Sequence, residues 1–178
     1  MIWLLACAHS PLSDALPAPD HFAQTSQAWT REAKRYEGFS AVLTFRATYE
    51  GPEFASERES LRASRLLWSP QEQEEALKAA AYEASQLWIF TVAAASETDS
   101  RPTLSTTEAP WRLRLMVDGH SCTPVSLTER KPDAMDHALY PWLTPWNNVW
   151  SARFMRDCSE GQPVLQLSGP LASAELRW

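Results

Sequence analysis

The clearest pattern along the chain is an alternation of apolar and polar residues between Phe39 and Tyr49. Phe39, Ala41, Leu43, Phe45, Ala47 and Tyr49 occupy every second position of this segment. A period of two residues is typical of a β-strand that buries one face, so we predict a strand here. Residues 87–95 (LWIFTVAAA) are apolar on both alternating sets, which predicts a central strand covered on both faces.

The second half of the chain contains several shorter segments of the same kind, separated by turn signals such as Asp118-Gly119 and Gly169-Pro170. Strands are predicted at 111–117, 124–130, 148–157, 163–168 and 171–178. The polar segment 96–110 and the segment around Met135 and His137 are predicted as loops. Short strands at this spacing favour an antiparallel β-sandwich of about seven strands.

Helical signals are concentrated in the N-terminal half. Trp29, Ala33 and Tyr36 recur at spacings of four and three residues, which predicts a helix over 26–37. A second helix is predicted over 53–68. A third begins at Ser69-Pro70-Gln71-Glu72, where a capping serine, a proline in the first turn and a glutamate three residues on form a capping box. The sequence therefore predicts an α+β fold, mainly an antiparallel β-sandwich with two or three N-terminal helices.

Composition narrows the class of protein. The 178 residues are 44% apolar and 21% charged, which fits one globular domain, expected over 21–178. The net charge of −6 and the balanced charge mixture argue against a nucleic-acid partner. The five glycines are scattered rather than clustered as in phosphate-binding loops, so no cofactor is expected.

A cysteine ends the apolar segment at the start of the chain, MIWLLAC. The run Leu4-Leu5-Ala6-Cys7 resembles the lipobox of bacterial lipoproteins, in which a lipid is attached to the cysteine sulfur and the preceding segment is cut away. The resemblance implies a truncated lipoprotein signal peptide over 1–7 and lipidation of Cys7. Ala8 stands where an Asp would imply inner-membrane retention, so the resemblance also implies an outer-membrane location facing the periplasm.

The segment after Cys7 and the other two cysteines fit this interpretation. Residues 8–20 are small, polar and proline-rich, which is typical of a tether. Three cysteines leave an odd one in an oxidising compartment. If Cys7 carries lipid, Cys122 and Cys158 remain as a pair, and a disulfide between them would stabilise the fold by roughly 3–4 kcal/mol. The alternative is a cytosolic domain with two buried reduced thiols.

The segment YPWLTPWNNVW is the densest aromatic cluster, and its two prolines, Pro141 and Pro145, disfavour a regular helix. Exposed indole rings in such a loop could stack on sugars while the neighbouring asparagines supply hydrogen bonds. The candidate binding surface consists of Trp142, Trp146, Asn147, Asn148 and Trp150. The alternative interpretation is that these rings cover one end of the sandwich core.

Metal and catalytic motifs are weak. Asp118, His120 and Cys122 alternate near a turn, with Asp133 and His137 further on, but their spacing matches no closed zinc pattern. We therefore expect no metal site. The sequence contains neither GxSxG nor HExxH, and we assign no catalytic residue.

The expected function is that of a lipid-anchored cell-envelope protein with a non-catalytic binding or structural role. Its partner would be another envelope protein or a polysaccharide. Two alternatives stay open, a small hydrolase that acts on the cell wall and a cytosolic protein whose lipobox match is accidental.

Overall fold

A computed structural model describes residues 19–97, 102–105, 109–144, 147–158 and 160–178. The predicted signal segment, most of the predicted tether, Cys7 and Trp146 lie outside the described residues. The helices are α1 (Pro19–Trp29), α2 (Pro52–Leu66), α3 (Pro70–Gln86) and α4 (Ala134–Leu139), and a 3-10 turn covers Arg156–Cys158. The strands are β1 (Thr30–Glu37), β2 (Ser40–Tyr49), β3 (Leu87–Ser96), β4 (Leu104–Ser105), β5 (Trp111–Val117), β6 (His120–Cys122), β7 (Ser126–Arg130), β8 (Val149–Met155), β9 (Pro163–Ser168) and β10 (Ser173–Arg177).

The strands form two sheets. Sheet A has the order β1-β2-β3-β8-β7, and all its neighbours are antiparallel. Sheet B has the order β10-β9-β5-β4, and β6 also pairs with β5. The short β4 runs parallel to β5, whereas the other pairs of sheet B are antiparallel. The predicted α+β class with a mainly antiparallel sandwich is confirmed, but the described residues form ten strands rather than about seven.

The main core lies between the two sheets. Every second residue of β2, β3 and β8 points toward sheet B, and the same alternation in β5 and β9 points toward sheet A. The largest fully buried side chains of this layer are Leu43, Phe45, Phe90, Val92, Leu113, Leu115, Val117, Phe154, Leu165 and Leu167. Burial of this apolar surface is the main force that holds the sheets together.

The helices cover the opposite, outer face of sheet A. A second apolar cluster, made of Phe22, Phe54, Leu61, Leu139, Tyr140 and Leu143, packs there against Ala93 of β3 and Val149 of β8. This cover explains why β3 is apolar on both faces, as its sequence predicts. Toward β1 the outer face carries polar and charged side chains, among them Glu32, Lys34, Thr44 and Arg46.

A disulfide links the two sheets. Cys122 ends β6 in sheet B, and Cys158 lies in the turn that follows β8 of sheet A, with their Cα atoms 6.0 Å apart. The predicted pairing of these two cysteines is confirmed. Cys122 is itself part of the buried core between the sheets.

Three local predictions are wrong. The segment 96–110, predicted as a loop, contains the short strand β4, which pairs with β5. The helix predicted over 26–37 ends at Trp29, because the residues from Thr30 onward pair with β2 along their whole length. The loop predicted around Met135 contains α4, which begins with a capping box between Asp133 and Asp136. Its six residues are too few to show a helical period.

Gly169 lies in the turn between β9 and β10, and a substitution there can test how closely this turn packs on the core. A Cβ atom at Gly169 would lie 2.2 Å from the buried ring of Trp111. We expect Gly169→Ala to lower the free energy of unfolding by about 1–3 kcal/mol, since an overpacked core must shift to make room. Urea unfolding with the disulfide intact measures this, and Ser168→Ala at the exposed neighbouring position is the control. Equal stability of Gly169→Ala and wild type would contradict this packing.

Candidate functional site

Two adjoining clefts lie on the outer face of sheet A, where the helical cover ends. Their volumes are about 450 and 280 Å³. Glu32, Arg46 and Trp142 line both clefts and so form the partition between them. We call the pair the Trp142 groove. The larger cleft also has Gln27, Thr30 and Arg31 in its lining, and the smaller one has Lys34, Thr44 and Asn147.

The indole ring of Trp142 is held in place from three sides. Trp142 lies in the turn that follows α4. The indole Nε1 donates a hydrogen bond of 2.9 Å to the Thr48 hydroxyl of β2. Its ring meets that of Tyr140 edge-on, with 6.2 Å between centroids. The Arg46 guanidinium lies 5.8 Å from the ring centroid, a distance at which cation–π attraction operates. The ring is therefore fixed, yet it stays partly exposed to the groove.

The charges of the groove come from strand pairing. Glu32 of β1 lies directly opposite Arg46 of β2, and their side chains form an ion pair. Lys34 Nζ is 3.1 Å from the same carboxylate. Burial raises the pKa of Glu32, but hydrogen bonds and attraction from Arg46 and Lys34 outweigh it and hold the pKa below its ordinary value. Glu32 is thus ionised at neutral pH and faces two cations.

A separate cleft of about 550 Å³ lies between α2, α4 and the strands β3, β7 and β8. The buried carboxylate of Glu50 accepts hydrogen bonds there from the hydroxyls of Thr91 and Tyr140 and forms an ion pair with Arg58. Arg58 also donates to Glu59 at 2.8 Å. Burial lowers the pKa of Arg58, but the charges of Glu50 and its neighbours outweigh this and raise the pKa above its usual range.

The Glu50 network is a structural one. Three donors, Arg58, Thr91 and Tyr140, surround the two carboxylate oxygens of Glu50. Only 5% of the Glu50 surface is exposed, although it contributes to the lining of the cleft. Burial raises the pKa of Tyr140 well above its ordinary value, with the charge of Glu50 adding to the effect. The network joins α2 and the end of α4 to sheet A.

Charged residues at the rim of this cleft are also paired. Arg130 binds Asp136, and Arg153 lies 3.0 Å from Glu83. Three of the arginines that line the cleft, Arg58, Arg130 and Arg153, are thus paired with carboxylates of the same cleft.

The structure separates the residues of the predicted binding surface. Trp142 and Asn147 both line the groove. Trp150, by contrast, lies in β8 on the inner face of sheet A, where it is 7% exposed within the sandwich core. The alternation of β8 turns this ring inward, so the alternative interpretation, a core ring, describes Trp150. The Asn148 amide donates to Glu129 of β7, away from the groove.

The structure does not bring the candidate metal ligands together. These candidates were Asp118, His120, Cys122, Asp133 and His137. The sulfur of Cys122 is bonded to that of Cys158, so Cys122 has no free thiolate to bind a metal. Among the described residues no group of three or more His, Cys, Asp and Glu side chains is placed to hold a metal ion. Within the same part of the chain, no helix has the length and apolar character needed to span a bilayer.

Sequence reasoning missed Glu32 and Arg46, two of the three residues that both clefts share. Arg46 stands on the polar set of the alternating strand β2, which is a usable signal. Glu32 becomes visible only if β1 is recognised as a strand paired with β2. No protein-family model, curated protein or solved structure matches this chain. Function must therefore be argued from the geometry of the site.

Tyr140 offers a test of the Glu50 network. We expect Tyr140→Phe to lower the free energy of unfolding by about 1.5–3 kcal/mol, because it removes a buried hydrogen bond to a charged group. The measurement is urea or thermal unfolding. Tyr82→Phe, on the exposed side of α3, is the matched control and should leave stability unchanged. Equal effects of the two substitutions would show that the hydroxyl of Tyr140 contributes nothing.

Proposed function

We propose that the protein is a lipid-anchored component of the bacterial cell envelope, held at the outer membrane and facing the periplasm, with a non-catalytic binding role. The observation that carries this proposal is the disulfide between Cys122 and Cys158. Structural disulfides persist in oxidising compartments and are rare in the cytosol. The bridge therefore favours a location outside the cytoplasm.

The bridge also supports the lipid anchor. With Cys122 and Cys158 paired, Cys7 is the one cysteine of the chain left over. An odd cysteine in an exported protein calls for another covalent partner. The resemblance of Leu4-Leu5-Ala6-Cys7 to a lipobox supplies one, a thioether-linked lipid. Several acyl chains on one residue hold a protein at a membrane stably.

The site geometry supports binding rather than catalysis. The buried Glu50 carboxylate accepts hydrogen bonds from Arg58, Thr91 and Tyr140, which build it into the packing of the helices on sheet A. The Trp142 groove instead offers a fixed aromatic ring with charged and hydrogen-bonding neighbours, which suits recognition. We propose that an envelope polysaccharide or protein docks there.

Lipidation is tested in cells that express the protein from its own locus. We expect radiolabelled palmitate to enter the wild-type protein and the protein to fractionate with membranes. Cys7→Ser should abolish both, because it removes the sulfur that carries the lipid. Cys122→Ser is the matched control and should retain the label. Wild-type protein that takes up no label would contradict the anchor.

The redox state is tested by alkylation of purified protein that is unfolded in denaturant without reductant, followed by mass analysis; unfolding is needed because Cys122 is buried in the core. We expect Cys122 and Cys158 to resist alkylation until a reductant is added, since their sulfurs are bonded to each other. Alkylation of both thiols before reduction would favour the cytosolic alternative over the envelope.

A further inference from the structure

We infer that the Trp142 groove binds an acidic saccharide, a chain of sugar rings that bears carboxylate groups. This inference rests on the proposed function and names the chemical class of its partner. The partition formed by Trp142, Arg46 and Glu32 implies two subsites, one ring in each cleft. A saccharide that crosses the partition would pass against the indole of Trp142.

The size and composition of the groove fit a short oligosaccharide. The two clefts together have a volume typical of small-ligand sites, about 300–1,000 Å³. A sugar ring presents an apolar C–H face and a rim of hydroxyls. The partly exposed indole of Trp142 matches the face, and polar side chains on both sides match the rim, with Gln27 in the larger cleft and Thr44 and Asn147 in the smaller.

The charge of the groove selects an acidic ligand. Among the described lining residues of the two clefts, three are cations, Arg31, Lys34 and Arg46, and one, Glu32, is a carboxylate. The groove is thus locally positive on a chain whose net charge is −6. Complementary charge favours the partner that carries the opposite sign.

Arg31 is already oriented for this role. Its Nε donates to the Arg177 carbonyl at 3.1 Å, and its Nη1 donates to the carbonyls of Ala28 and Thr30. Among the described residues these carbonyls are the partners of Arg31, and they hold the guanidinium in place without pairing its positive charge with a carboxylate. A carboxylate that enters the larger cleft would gain a charge-assisted hydrogen bond from a donor that needs no reordering.

The decisive experiment compares two disaccharides that differ in one group. N-acetylglucosaminyl-N-acetylmuramic acid carries a lactyl carboxylate, and N,N′-diacetylchitobiose has similar rings without it. We expect the purified full chain to bind the acidic probe about tenfold more tightly, the scale of one charge-assisted contact. Calorimetry gives the affinities, and NMR shifts of the indole N–H signals place the ligand at Trp142.

Charge variants locate the selectivity in the groove. Lys34→Gln should reduce the preference for the acidic probe several-fold, while Lys78→Gln, which removes a similarly paired lysine on α3, should not. Glu32→Gln should increase the preference, because it frees Arg46 and Lys34 for the ligand. Trp142→Phe should weaken binding of both probes, and its unfolding curve will show whether the fold is kept.

Three results would overturn the inference: no binding of either probe at millimolar concentration, equal affinity for the two, or a preference that Lys34→Gln and Glu32→Gln leave unchanged. The result is independent of the anchor. Palmitate labelling with no saccharide binding would reject this inference alone. Saccharide binding without labelling would reject the lipid anchor instead.

Discussion

The fold depends on sheet A being buried on both faces. Its central strand β3 is apolar on both sides, so one face needs sheet B and the other needs the helices. The helices reach only part of the outer face, and the strand pair β1–β2 extends beyond them. Charged residues can occupy that end, because water reaches it. The Trp142 groove lies at this boundary between apolar cover and open sheet.

The size of the hydrophobic core indicates how much the fold depends on the disulfide. A chain of 178 residues buries enough apolar surface to fold without a covalent staple, unlike the small secreted domains that need several. The bridge nevertheless joins β6 of sheet B to the turn after β8 of sheet A, so it connects the two halves of the sandwich. Since the core does not require it, the bridge is more informative about the compartment than about the fold.

The strands and helices that were predicted correctly have a recognisable pattern within their own sequence. Strands β2 and β5 alternate clearly, β3 is apolar on both sets, and α3 has its full capping box. Strand β1 has none of these, because its exposed, charged residues follow from pairing with β2 rather than from burial. The groove was only partly predicted, because Trp142 and Asn147 belong to the predicted binding surface whereas Glu32 and Arg46 do not. The register of two strands pairs Glu32 with Arg46, and Trp142 reaches Thr48 from 94 residues away. Spacing along the chain does not encode either contact.

The groove and the proposed anchor reinforce each other physically. Glu32 and Arg46 stand on paired strands and Trp142 is bonded to β2, so the binding groups sit on rigid elements. A lipid at Cys7 would keep the domain within reach of the membrane, since residues 8–18 span at most about 40 Å. Confinement of this kind raises the effective concentration of a neighbouring polymer to about the millimolar range. A repeating acidic polysaccharide offers many equivalent sites, so weak binding at each one would suffice to hold the anchored domain against it.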